Sequence, residues 1–215
     1  MTQVLRALGA DVRPYIPNRF DEGYGLNKEA LDALAQDGVK VVLTVDCGIR
    51  SLREVDYGRE IGLDMIVTDH HSPLGDIPIA SAVICQRQVG DAYPDKNLAG
   101  VGLAYKLAQA LLDAKPVDGV RAQDWLDLVA LGTVADVVPL LDENRALVRA
   151  GLDQMRQGRR VGLFSLTQAA GLSAERCRAG DIAFGLGPRL NAAGRLESAL
   201  AAVDLLMAQD IMDSG

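Results

Sequence analysis

Three short runs of β-branched and apolar residues, each ending in polar residues, most restrict what this chain can fold into. They are KVVLTVDCG (40–48), DMIVTDHH (64–71) and ASAVICQ (80–86). A continuous Val/Ile/Leu run of this length, without polar alternation, is the pattern of a strand buried on both faces in a parallel sheet. Between the first two lies SLREVDYGREIGL (51–63), with Leu52, Val55, Ile61 and Leu63 near helical spacing and Ser51 as a candidate N-cap. Upstream, TQVLRALGA is expected to be a helix and DVRPYIP a strand. NKEALDALAQDG is expected to be a helix capped by Asn27 and closed by Gly38. Strands alternating with helices of this size indicate βαβ units, so the expected fold class is α/β with a doubly wound parallel sheet. Beyond residue 97 the pattern turns mainly helical, in LAGVGLAYKLAQALLDA, AQDWLDLVALGTVADV and ENRALVRAGLDQMRQG.

Composition narrows the class. The chain has 215 residues, 49% hydrophobic and 24% charged, with 4% aromatics, so its core must be built from Val, Leu, Ile and Ala. No apolar run approaches the ~18 residues that span a bilayer, and no signal-like segment opens the sequence. Cys47, Cys85 and Cys177 are odd in number and form no CxxC pair, which suits reduced thiols and a cytoplasmic location. The net charge of −7 argues against a general nucleic-acid coat. It is unevenly spread: residues 1–150 carry 15 Lys/Arg against 22 Asp/Glu, while residues 156–195 carry seven Arg against Glu175 and Asp181. That basic stretch is either a solvated helical surface or a local phosphate-binding face.

The only two histidines, His70 and His71, stand side by side behind Asp69 at the end of the second run. Ligands of open parallel sheets sit outside the carboxyl ends of the strands. Asp46, ending the first run, and Asp69, His70 and His71, ending the second, are therefore expected to open onto one crevice. Asp136, in LGTVADVVPL, is a third acid set among apolar residues. Singly, each has a plainer reading: a helix cap for Asp46, a surface turn for the histidines, a cap before Pro139 for Asp136. Together they form an oxygen and nitrogen donor set for Mn²⁺ or Zn²⁺, in which the carboxylate excess favours a hard divalent ion.

YIPNRFDEGYGLN, DCG, TDHH, LGTVADVVPL and GLGPRLNAAGRLESA, five motifs in this order along the chain, resemble the DHH phosphoesterase superfamily. Within it they are most similar to the RecJ-type exonucleases specific for single-stranded DNA, over roughly residues 10–200. The resemblance implies a two-metal phosphoesterase using Mn²⁺ or Mg²⁺, in which the ions activate a water and neutralise phosphate charge. It implies that Asp46 bridges both metals and that His70 and Asp136 bind one of them. It further implies that His71 faces the substrate phosphate and that Asp69 orients the site from behind. Arg189, Asn191 and Arg195, in GPRLNAAGR, become candidate phosphate or DNA contacts, or else simply part of a turn and helix start.

Two family features are absent from the sequence. An earlier strand followed by closely spaced His and Asp residues would precede residue 1, and a second, smaller domain would follow residue 215. The expectation is therefore a fragment of a longer exonuclease acting 5′ to 3′ on single-stranded DNA in repair or recombination, with at most one well-formed metal position. Residues 1–150 would be the phosphoesterase core and 151–215 a helical connector. The alternatives are a DHH-family phosphodiesterase for oligonucleotides or cyclic dinucleotides, and a non-catalytic DHH scaffold. The sequence names no protein partner, and no membrane partner is expected.

Overall fold

The computed structural model describes residues 1–17, 25–196 and 199–208, with side chains other than those of residues 193–196. The chain divides into two compact units, residues 17–104 and residues 1–16 with 105–215.

The 17–104 unit carries a parallel sheet in the order β1 (Val41–Val45), β2 (Asp64–Thr68), β3 (Ala82–Ile84). The strands are the apolar cores of the three runs read from the sequence, and the parallel α/β class stands. Helix α2 (Lys28–Gln36) starts at Asn27, whose side chain accepts from Ala30 N at 2.7 Å. It closes at Gly38, where φ of +81° suits a residue without Cβ. Helix α3 (Leu52–Glu60) has Ser51 at its N-cap position, although the hydroxyl makes no capping bond. Val55 of α3 and Leu31 of α2 pack with Leu63, Met65 and Val67 into the core of this unit.

Strand register positions the candidate site. Val45 lies opposite Thr68, and Thr68 opposite Ile84, so the strands finish level. The ladder then runs one step further: Asp46 N donates to Thr68 O and Asp69 N to Ile84 O, both at 3.0 Å. Two threonines knit the ends, because Thr68 Oγ1 donates to Thr44 O at 2.6 Å while Thr44 Oγ1 donates to Cys47 O at 2.7 Å. Asp46 and Asp69-His70-His71 are thereby delivered to one edge of the sheet.

In the other unit, α1 (Thr2–Ala7) is followed by 11–17, expected as a strand. That segment is irregular and joins no ladder. Pro14 and Pro17 bring no N–H, so half the bonding pattern of a strand is unavailable around them. Helix α4 (Gly100–Ala114) begins in the first unit and continues into this one. A 3₁₀ turn (Ala122–Trp125) leads into α5 (Leu126–Ala135), followed by α6 (Asp142–Met155) and α7 (Val161–Ala169). A helical run then passes through α8 (Ala179–Asp181), a π segment (Ile182–Leu186) and α9 (Gly187–Leu196), before α10 (Ala199–Met207). Ala130, Leu131, Val134, Val148, Leu163, Leu166, Ile182 and Leu186 form the core.

The basic stretch 156–195 is partly absorbed here. Arg160 makes a two-pronged, buried ion pair with Asp127, at 2.7 Å and 3.0 Å. Arg156 donates to Cys177 O through Nε and Nη2, at 3.1 Å and 3.0 Å. These two arginines complete carbonyls and a carboxylate of their own unit.

Candidate metal centre

Asp46 sits at φ +66°, a left-handed conformation that short acidic side chains accept better than most. From there its Oδ1 lies 3.0 Å from His70 Nε2. His70 is buried, at 6% exposure, whereas the Asp46 side chain is 44% exposed, so the pair is seated in the protein and open on the carboxylate side. Oδ1 itself is inaccessible to solvent and accepts no hydrogen bond. The 3.0 Å approach is thus a pairing by distance without hydrogen-bond geometry, and the carboxylate oxygen's lone pairs are left over.

His71 completes the group. One ligand atom each from Asp46, His70 and His71 lies within 4.8 Å of the others. The two rings are 4.5 Å apart, centroid to centroid, and tilted by 60°.

Asp69 organises this edge from behind. It is buried to 2% exposure and accepts from Ile49 N at 3.0 Å, from His71 N at 3.1 Å and from the His71 ring through Nδ1 at 2.7 Å. One carboxylate therefore ties the loop after β1 to the turn after β2. Its ionised oxygens only accept, so the neutral His71 ring carries its proton on Nδ1 and offers Nε2 as the free lone pair. Cys47, next to Asp46, keeps its proton in the metal-free protein: burial first, then the charges of Asp69 and Asp46, push its thiol up to about 11.

Asp136 belongs to the other unit, exposed at the C-cap of α5. Arg189 is exposed on α9 and donates to Gly185 O at 2.8 Å, and Asn191 is exposed on the same helix. The Arg195 side chain lies outside the described residues, as do residues 18–24 of YIPNRFDEGYGLN.

Sequence reasoning missed Gly100, the first residue of α4. A Cβ there would run into the Asp46 carboxylate, 2.7 Å from Cγ and closer still to Oδ1. A glycine at the start of a helical pattern was the only available signal, and it did not say which residue needed the space.

A sheet edge carrying Asp46, His70 and His71 offers a group of ligand atoms that could hold a metal ion. The model of the DHH family, N-terminal domain, matches residues 1–133, and the chain belongs to that family. It is 44% identical to the single-stranded-DNA-specific exonuclease RecJ of Bacillus subtilis (strain 168) over 214 residues, covering 100% of this chain and 26% of that protein. It is 42% identical to the protein of that name from Escherichia coli (strain K12), covering 96% of this chain and 38% of that protein. The chain thus spans about a quarter to two fifths of the curated relatives' length. A crystal structure of exonuclease RecJ bound to manganese superposes with a TM-score of 0.87 at 38% identity, over 99% of this chain and 53% of that one. RecJ of Thermus thermophilus in complex with Mn²⁺ gives 0.82 at 36% identity, over 99% of this chain and 30% of that one.

Proposed function

We propose that this chain is the core portion of a metal-dependent exonuclease acting 5′ to 3′ on single-stranded DNA, in repair or recombination. The observation that carries the reading is the approach of Asp46 Oδ1 to His70 Nε2 at 3.0 Å, with Oδ1 buried and accepting no hydrogen bond. A carboxylate oxygen and an imidazole nitrogen left in this relation fit a shared divalent cation, Mn²⁺ or Mg²⁺. Asp46 and His70 would hold it. When bound, metal in such a site lowers the pKa of a water and neutralises phosphate charge.

The remaining roles fall to the protein's own groups. Asp69 holds the His71 ring by Nδ1, and His71 would meet the substrate phosphate as an imidazolium, donating from a protonated Nε2. Arg189, Asn191 and Arg195 would contact phosphates further along the strand, since a guanidinium fork matches a phosphate's oxygens in pairs. Residues 1–150 would form the phosphoesterase core and 151–215 a helical connector. Three free cysteines suit a cytoplasmic protein, and no helix among the described residues is long and apolar enough to cross a membrane.

A second reading has His71 as a third metal ligand, and the grouping within 4.8 Å favours it. Calorimetric titration with Mn²⁺ separates the two. The parent chain should bind one ion weakly, Asp46→Ala and His70→Ala should lose it, and acidification should weaken it, because a protonated imidazole cannot ligate. His71→Ala should keep the metal and lose phosphate affinity. Equal loss of metal in both histidine variants would favour the second reading, and unaltered Mn²⁺ binding by Asp46→Ala would overturn the metal centre altogether. The chain by itself should degrade single-stranded DNA little or not at all, because the cluster supplies donors for one ion and the two-metal reaction needs more.

A further inference from the structure

The turn that follows His71 collects two arginines from distant parts of the sequence. Arg50, in the loop between β1 and α3, donates from Nε to Ser72 O at 2.9 Å. Arg87, just beyond β3, donates from Nε to Lys96 O at 2.8 Å and reaches Ser72 Oγ through Nη1 at 3.5 Å. These bonds are exposed, and each anchors a guanidinium by its Nε while leaving Nη hydrogens to spare. Ser72 is the residue next to His71, so both guanidiniums stand beside the metal cluster's own turn.

Charge makes this arrangement informative. Residues 17–104 carry 14 Asp/Glu against 8 Lys/Arg, an acidic unit with carboxylates in excess. None of the ion pairs among the described residues nevertheless involves Arg50 or Arg87. Two cations held at one residue repel each other, and an anion placed between them relieves that repulsion. Their fixed forks suit the paired oxygens of a phosphate.

We infer that Arg50 and Arg87 form a clamp for a phosphodiester of single-stranded nucleic acid, flanking the phosphate addressed by the metal cluster. The inference rests on the proposed function and adds a contact in the 17–104 unit to those proposed on α9. It also gives the Ser72 turn a purpose: its carbonyl and hydroxyl hold the two guanidiniums in place for the strand.

The test is binding of a labelled single-stranded oligonucleotide by the 215-residue chain, followed by anisotropy over a range of salt concentrations in EDTA. Each phosphate contact on a single strand contributes a slope of about −0.7 in log affinity against log salt. Arg50→Ala and Arg87→Ala should each shallow the slope by about that amount, and the double variant by about 1.4. Arg59→Ala removes the same charge from the same unit, but from a residue already paired with Asp56, and should leave the slope as it was. Melting curves check that the variants fold, and Mn²⁺ titration should give them the parent's affinity. An unchanged slope in the double variant, an equal change in Arg59→Ala, or no salt-dependent binding by the parent would each overturn the clamp. Loss of Mn²⁺ binding from the parent would instead overturn the metal centre, so the two failures are distinguishable.

Discussion

Asp46 is fixed by three constraints that act on one residue. Its backbone is left-handed, its N–H is tied to Thr68 O, and its carboxylate fills the space a side chain at position 100 would need. The last is the most easily tested. Gly100→Ala places a methyl where the carboxylate stands, and the carboxylate can escape only by rotating away from His70. Mn²⁺ affinity should fall by about tenfold or more, corresponding to about 1.4 kcal/mol or more of lost binding. Gly180→Ala, at a position with nothing within 4 Å of its new Cβ, should leave it unchanged. Calorimetry on both variants is the measurement, and an unaffected Gly100→Ala would show that Asp46 does not need its present rotamer to bind metal. Asp69 is equally committed, because its carboxylate answers three donors and no other acceptor near them is needed.

At the scale of elements, close backbone approach recurs as the means of bringing helices together. A Cβ at Gly151 of α6 would collide with Leu126 O and Ala130 Cβ of α5, and the first of these is backbone that cannot turn aside. Gly151→Ala should therefore cost about 1–3 kcal/mol, as overpacking of a well-filled contact does. The midpoint of urea unfolding would report it, and a midpoint equal to the parent's would mean that α5 and α6 separate freely. In the 17–104 unit, Gly58 of α3 has the same relation to Met65 of β2, but there the obstacle is a flexible thioether that can move. The strands obey a different logic, in which level ends and the extra ladder step from Asp46 to Thr68 set the position of the site.

For the molecule as a whole, alkaline pH should destabilise the metal-free fold. Cys47 has a thiol pushed up from 9.0 to about 11, mainly by burial. Cys85 and Cys177 are raised by burial too, and Tyr57 is raised chiefly by its hydrogen bond to Asp32. A group whose folded value lies above its unfolded one keeps its contribution below the unfolded value and loses it as pH climbs through the folded value. Stability measured by denaturant should therefore decline between about pH 9 and 11, with Cys47 alone contributing on the order of 2 kcal/mol. Cys47→Ala should flatten that decline in EDTA. An equally steep decline in the variant would place the titration elsewhere.

Local pattern was enough to determine the three parallel strands, α2 with its Asn27 cap and Gly38 stop, and the delivery of Asp46 and His70 to one edge. These depend on neighbours in sequence: side-chain branching, a capping oxygen, a residue able to adopt positive φ. Parallel strands ending level then bring their last residues together without further information. Tertiary structure alone decided the rest. It turned Arg156 and Arg160 inward, and set Gly100 against Asp46 and two arginines against Ser72. Each of those outcomes depends on which distant atoms finally lie within a few ångströms, and packing and charge fix that only once the chain has folded.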